Sequence, residues 1–322
     1  MSALPRLDPT AKRTLGALLL ALGLHLSGSL LIEGYSTAFS IRSMLVLATF
    51  VAVASVGQTM VVLLGGIDLS IPFVIGFANV VAAQLNGYQM NFAVVCLIVA
   101  VLSAGIGAFN GALSSSLSIH PLIVTLGVGT TVQGAVLLWT GGLPAGSAPA
   151  VLTEFVSIGG SVGPLPVPWL VPSFFVLAVV VVIVLARTPF GRRIYALGSN
   201  PTAAPLALID VRAMWTITYA LSAVFAAAAG ILLLGFTGSA YGDVGQPYLF
   251  QTIAAVVIGG TTLVGGRGSL VGTIAGAVVL IEINTLLIGL GLAPSAVEAT
   301  LGAVIVLLVS LYGREPHVRT TI

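Results

Sequence analysis

Apolar residues in this chain come in long continuous runs, neither alternating as in half-buried strands nor striped as in helices of soluble proteins. Such runs fall at about 15–32, 42–64, 69–85, 92–113, 121–140, 169–186, 213–235, 250–265, 269–290 and 295–312. About 20 predominantly apolar residues carry a helix across a bilayer, so the pattern predicts about ten spanning helices. The runs near 69–85 and 250–265 are short and glycine-rich, which marks them as broken or re-entrant candidates. The 85 residues 69–153 contain no Asp, Glu, Lys or Arg. Membrane β-barrels need alternation, which is missing. The expected fold class is an all-α polytopic membrane protein.

Composition agrees and removes other classes. Of 322 residues, 58% are hydrophobic and 6% charged, against about 25% charged in soluble domains. A soluble enzyme, a disordered chain and a nucleic-acid binder are excluded, so lipid is an expected partner and nucleic acid is not. Cys96 is the lone cysteine, so no intramolecular disulfide forms, and it reads as a small core hydrophobe. His25, His120 and His317 lie too far apart for a ligand pair at helical spacing, and no metal motif appears. Lys12 is the only lysine. A P-loop needs a lysine after a Gly-rich turn, so the chain is expected to hold no nucleotide or other cofactor. It is not expected to be an enzyme.

Charge placement sets an expected orientation. The 1–13 tail (Arg6, Lys12, Arg13), the 187–212 connection (Arg187, Arg192, Arg193, Arg212) and the end with Arg314 and Arg319 hold nine of the eleven basic residues. By the positive-inside rule these lie in the cytoplasm, and both termini with them. The 141–168 connection carries Glu154 and no basic residue, so it is expected outside; Arg42 is the exception. Residues 1–322 then form one transmembrane domain. Gly105, Gly107 and Gly111, then Gly127, Gly129 and Gly134, then Gly272 and Gly276 suit close helix packing in lipid.

Ionisable groups between apolar runs are the first functional candidates, because they are costly in hydrocarbon. In Gly65-Gly66-Ile67-Asp68-Leu69-Ser70 the glycines break a helix, Asp68 and Ser70 can cap its restart, and Pro72 suits a first turn. The segment is either a capped break or a solute contact. Glu282, beside Asn284, either lines a wet path or bonds a neighbouring helix. Arg267 reads as a cytoplasmic-side anchor. Asn79, Asn110, Thr125 and Asn284 place amides and hydroxyls inside spans, as a polyol route or as interhelical hydrogen bonds. The 187–212 connection reads as a short helix with Phe190, Ile194 and Leu197 on one face, a stop at Gly198, and a restart capped by Asn200. That amphipathic helix suits a docking surface for a protein or an interfacial helix on lipid.

Four segments carry a resemblance: LLGGIDLS at 63–70, PLIVTLG at 121–127, TPFGRRIYALGSNPTAA at 188–204 and IAAVVIGGTTLVGGRGSLVGTIAGA at 253–277. In this order they resemble the inner-membrane permeases of bacterial ABC importers for ribose, xylose and autoinducer-2. The resemblance implies a type II-like importer permease fold in the bacterial inner membrane. It implies a cytoplasmic ABC ATPase that uses the ATP, a periplasmic solute-binding protein, and a second permease subunit, identical or paralogous. It also implies that the ATPase-coupling element lies in 188–210, with Phe190, Gly191, Arg192, Arg193, Ile194, Leu197, Gly198 and Asn200 as candidates. The transport-path candidates are Gly65, Gly66, Asp68, Ser70, Asn79, Asn110, Thr125, Glu282 and Asn284. Ile71-Pro72-Phe73 departs from the usual Val-Gly-Ser, Gln133 stands where an arginine is common, and Pro205 and Leu208 replace an arginine and a glycine. The resemblance implies import of a monosaccharide or sugar-like solute by alternating access. The rival reading is a self-sufficient secondary transporter or channel, which would draw its coupling site from Asp68 and Glu282.

Overall fold

The computed structural model describes residues 9–117 and 119–312. Among these residues the chain is all helical, without a named strand. The helices are α1 (Pro9–Leu31), α2 (Ala38–Leu64), α3 (Ile71–Gly87), α4 (Phe92–Leu117), α5 (Pro121–Thr140), α6 (Ala150–Val156), α7 (Leu170–Arg187), α8 (Pro189–Ser199), α9 (Val211–Thr237), α10 (Tyr248–Ile258), α11 (Leu270–Gly289) and α12 (Pro294–Tyr312). A 3-10 turn, Ala204–Ala207, lies between α8 and α9. Among the described residues seven helices are long and apolar enough to cross a membrane, and α3 and α10 are shorter apolar helices. The ten apolar runs match α1 to α5, α7 and α9 to α12. The run at 250–265 is the poorest match, because its helix stops at Ile258. The basic residues Arg6, Arg314 and Arg319 lie outside the described residues.

The most apolar stretch of α2 is 89% buried, against 17% in α1. An all-round hydrophobic helix is the one a bundle encloses, and α2 is its centre. Around it, α9 packs along α4, α2 and α3, while α11 lies between α1, α10 and α2. Without a hydrophobic drive between helices in lipid, close backbone approach supplies the packing. A Cβ at Gly107 would fall on the Tyr219 carbonyl, and one at Gly111 would stand 2.5 Å from that of Trp215. In α11, Gly272 meets Gly259 and Gly276 meets Ala255 in the same way. A Cβ at Gly105, Gly127 or Gly134 would meet nothing within 4 Å among the described residues, so these three glycines do not serve close backbone approach there.

The bundle has two distinct ends. At one, the Gly266 amide donates to the Leu63 carbonyl at 2.9 Å, Gly260 lies on the Arg13 side chain, and α8 touches Leu63 and Gly266 through Gly198. At the other, Ala148 N donates to Gly238 O at 3.0 Å and Asn86 Nδ2 to Ser147 O at 2.9 Å. The start of α1, α8 and the 259–269 turn therefore share an end, and the 141–168 and 238–247 connections share the opposite one.

Candidate functional site

Helix α2 ends at Gly65, whose φ of 97° is left-handed; there the Gly65 and Gly66 amides return to Val62 and Val61. Six residues later α3 restarts with Pro72 in its first turn. In the gap, Asp68 Oδ1 accepts from the Ser70 amide at 2.9 Å and from the Ser70 hydroxyl at 2.5 Å. Its Oδ2 accepts from Ser222 Oγ of α9 at 2.8 Å. Asn110 Nδ2 of α4 donates to Ser70 Oγ at 2.9 Å, the Leu69 amide donates to Thr125 Oγ1 of α5 at 3.0 Å, and Tyr219 OH donates to Ile67 O at 3.4 Å. The break is thus a polar joint around one buried carboxylate, which α9 bonds directly while α4 and α5 bond the neighbouring Ser70 and Leu69.

This geometry alters two expectations. Ser70 makes no side-chain cap on α3; its hydroxyl is spent between Asp68 and Asn110. Asp68 is 2% exposed, and Ser70, Asn79, Asn110 and Thr125 are fully buried, so in this conformation none of them meets a solute. The Asn110 Oδ1 atom is buried without a hydrogen-bond partner. Asn79 Nδ2 donates to Gly230 O at 3.3 Å, and its Oδ1 accepts from the Tyr241 amide at 2.9 Å. It pins the 238–247 connection to α9. Asn284 lines a cavity of about 630 Å³ between α10, α11 and α12, with Gln251 and Glu298.

Glu282 belongs to a third setting. Its Oε1 meets His25 Nδ1 at 3.0 Å and its Oε2 accepts from Tyr35 OH at 2.8 Å, while His25 Nε2 reaches Ser36 Oγ at 3.2 Å. Burial first, then the hydrogen bond and charge of Glu282, push the Tyr35 phenol up. Of the two readings the sequence left open for Glu282, the contacts are those of a tie between neighbouring elements. Asp68 and Glu282 each have their own partners, and no bond joins them.

On α8 the expected docking face is turned the other way. Ile194 is 0% and Leu197 1% exposed, and Phe190 packs against the same core. These side chains hold α8 to α2 and α7, which corrects their reading as an exposed surface. Gly191 and Gly198 are buried as well. Gly198 is no helix stop: α8 runs on to Ser199, and a Cβ there would fall on the Leu63 carbonyl and stand 2.6 Å from Gly266 N. Tyr195 OH donates to Gly268 O at 3.0 Å, and burial pushes this phenol up. Arg192, Arg193 and Asn200 are exposed. Asn200 Oδ1 accepts from Ala203 N at 3.0 Å, but the restart it caps is only the short 3-10 turn. Beyond it stand Leu206, 86% exposed, and Leu208, 93% exposed. Leu208 holds φ at 58°, a conformation that costs a side-chain-bearing residue about 1–2 kcal/mol. The exposed tip of this connection is therefore apolar, with exposed arginines on α8 before it and Arg212 after it.

A family model described as "Branched-chain amino acid transport system / permease component" matches residues 40–309. The chain belongs to this family. The permease is 35% identical to the ribose import permease of Escherichia coli (strain K12) over 266 residues, 81% of each chain. It is 31% identical to the fructose import permease of Rhizobium meliloti over 304 residues, 91% of this chain and 81% of that one. An autoinducer 2 import system permease of Escherichia coli (strain SMS-3-5) is 31% identical over 269 residues, covering 80% and 79%. No solved structure matches the permease. Its family and its helices make it a multi-pass membrane permease component of a transport system.

Sequence reasoning missed Tyr241, Asp243 and Gln246, at the end opposite α8. They lie in Gly-rich 238–247, between two apolar runs, and an acidic residue at that place was a usable signal.

Proposed function

We propose that this permease is the membrane subunit of an ATP-driven importer for a monosaccharide or sugar-like solute. A separate cytoplasmic ATPase would hydrolyse the ATP, a periplasmic binding protein would deliver the solute, and a second permease subunit would complete the path. The relatives' names support the sugar. The end carrying α8 is cytoplasmic in this reading, since Lys12, Arg13, Arg187, Arg192, Arg193, Arg212 and Arg267 gather there.

The observation that carries the proposal is the build of the α8 region. Its inner face is locked to the end of α2 and to the 259–269 turn, both next to helix breaks. Its outer tip presents Leu206 and Leu208, both exposed, in a connection whose flanks carry exposed Arg192, Arg193 and Arg212. An ATPase that seats those leucines and moves would pull on the inner ends of α2, α10 and α11 together, and so on the Asp68 joint. Anchoring by a few buried apolar groups inside a polar rim is how such contacts hold. A solvent-filled tip gives no reason to keep a leucine at φ 58°.

Affinity purification from membranes tests this. ATP hydrolysis should accompany the wild-type permease, and Leu208→Asp or Leu206→Asp should remove it while permease abundance stays normal. Leu208→Gly, which relaxes the backbone but deletes the anchor, should retain part. An eluate of wild-type permease without ATP hydrolysis would overturn the ATP-driven reading.

A further inference from the structure

Between α3, α5 and the 238–247 connection, a cavity of about 210 Å³ runs from the first turn of α3 toward the end opposite α8. We propose that it is a low-affinity subsite for one sugar ring on the transport path. The inference rests on the sugar-import reading and extends it to named residues. Its wall is fixed by packing: a Cβ at Gly76 would fall on the Gly242 carbonyl, and one at Gly245 on that of Pro72. Asn79 holds the Tyr241 amide at 2.9 Å. The connection therefore lies directly on the first turns of α3 as a set surface.

The lining chemistry is that of polyol recognition. Phe73 and Phe77 supply apolar faces, and Gln133, Tyr241, Asp243 and Gln246 supply polar groups. Gln133 Nε2 donates to Asp243 Oδ1 at 2.9 Å, which aims both side chains at one spot. That bond leaves Asp243 Oδ2, Gln133 Oε1, the Tyr241 hydroxyl and the Gln246 side-chain amide without a hydrogen-bond partner among the described residues. A sugar ring needs this mixture: carboxylate and amide oxygens for its hydroxyl donors, N–H and phenol for its oxygens, and a ring face for its C–H groups. Ligand pockets for larger molecules span about 300–1,000 Å³, so the volume suits one ring and rejects a disaccharide.

Weak binding fits a path, since a solute must leave as readily as it enters. The place fits too. Phe73 stands at the start of α3, directly after the segment held by Asp68, so a ring resting on Phe73 lies next to the Asp68 joint.

The test is binding to the full-length permease alone in lipid nanodiscs, read by saturation-transfer difference NMR with millimolar D-ribose, D-fructose and D-glucose. At least one should bind. Asp243→Asn should weaken it about tenfold, the loss of one charge-assisted hydrogen bond, and Gln133→Ala should weaken it as well. Asp243 is exposed on the wall, so its substitution spares the core. Thr140→Trp, which fills the cavity with bulk at the end of α5, should abolish the signal, and Ser173→Ala on α7 should leave it unchanged. Failure of all three sugars to bind the wild type overturns the subsite, as does equal binding to wild type, Asp243→Asn and Thr140→Trp. Because no ATPase takes part, a sugar-binding permease that purifies without ATP hydrolysis would retain the subsite and lose the ATP-driven reading.

Discussion

Helix α2 runs out through Leu63-Leu64-Gly65-Gly66, and between α10 and α11 the chain passes through Leu263-Val264-Gly265-Gly266. The two glycine pairs meet. Gly266 N bonds Leu63 O at 2.9 Å, and a Cβ at Gly265 would stand 3.0 Å from Gly65 Cα. Beyond this contact they differ. The first break is held by side chains, with Asp68 gathering Ser70 and Ser222 while Asn110 and Thr125 support its neighbours. The second is held mainly by backbone, through Gly259 on Gly272 and Gly198 on Gly266. Thr262 and Ser269 close it locally: the Thr262 hydroxyl donates to Gly265 O at 3.0 Å, and the Gly272 amide donates to Ser269 Oγ at 3.1 Å. A polar joint answers to charge and hydrogen bonding. A steric joint answers to volume. Helix α8 is attached to the steric one, where a displacement is transmitted with least give.

The largest expected effect comes from bulk at the steric joint. Gly198→Val puts new atoms onto the Leu63 carbonyl and Gly266, both backbone, with nowhere to go. Overpacking costs about 1–3 kcal/mol where side chains can yield, and more where backbone must. The variant should lose its monodisperse peak in detergent size-exclusion chromatography. A normal peak would show that α8 can lift away from α2 freely, and the contrast between the joints would collapse. Ile194→Asp should fail in the same way, because that side chain lies in the permease core, whereas Leu208→Asp should leave the peak intact.

Polarity at the first joint comes next. Asp68→Leu removes the acceptor for the Ser70 amide and for two hydroxyls, at about 1–3 kcal/mol for each group left unpaired. Transport of labelled sugar at equal membrane abundance should be lost. Asp68→Asn keeps one acceptor oxygen and should retain a part of it. Normal transport by Asp68→Leu would reduce this joint to a steric one like its partner.

What was legible in the sequence follows from the same division. Long apolar runs announced the spans, because lipid demands them wherever the helix sits. The Gly65-Gly66 break and the role of Asp68 at the Ser70 amide were readable, since both are local in sequence. The direction of the α8 stripe was not: Phe190, Ile194 and Leu197 form one face whether it meets the bundle or a partner, and only packing on α2 and α7 decides. The seven residues of α6 were too few to show a period. Gln133 and Asp243 are 110 residues apart and His25 and Glu282 257 apart, so neither pair had a local signal.

The smallest effect should come from Glu282, a carboxylate outside both joints. It ties α1 and the 32–37 turn to α11 through His25 and Tyr35, and it is 6% exposed. Glu282→Gln keeps an oxygen for the Tyr35 hydroxyl and loses the charge facing His25. His25 is partly open on its other side, where Ser36 stays in reach, so the loss should stay near 1 kcal/mol. Thermal unfolding of the purified permease should shift down by a few degrees, and sugar transport per molecule should be unchanged. Loss of transport with unfolding unaltered would mean that the Glu282 charge takes part in the transport cycle. The rival reading, in which the chain couples its own ion through Asp68 and Glu282, would then regain its second carboxylate, so this mild substitution separates a strap from a coupling group.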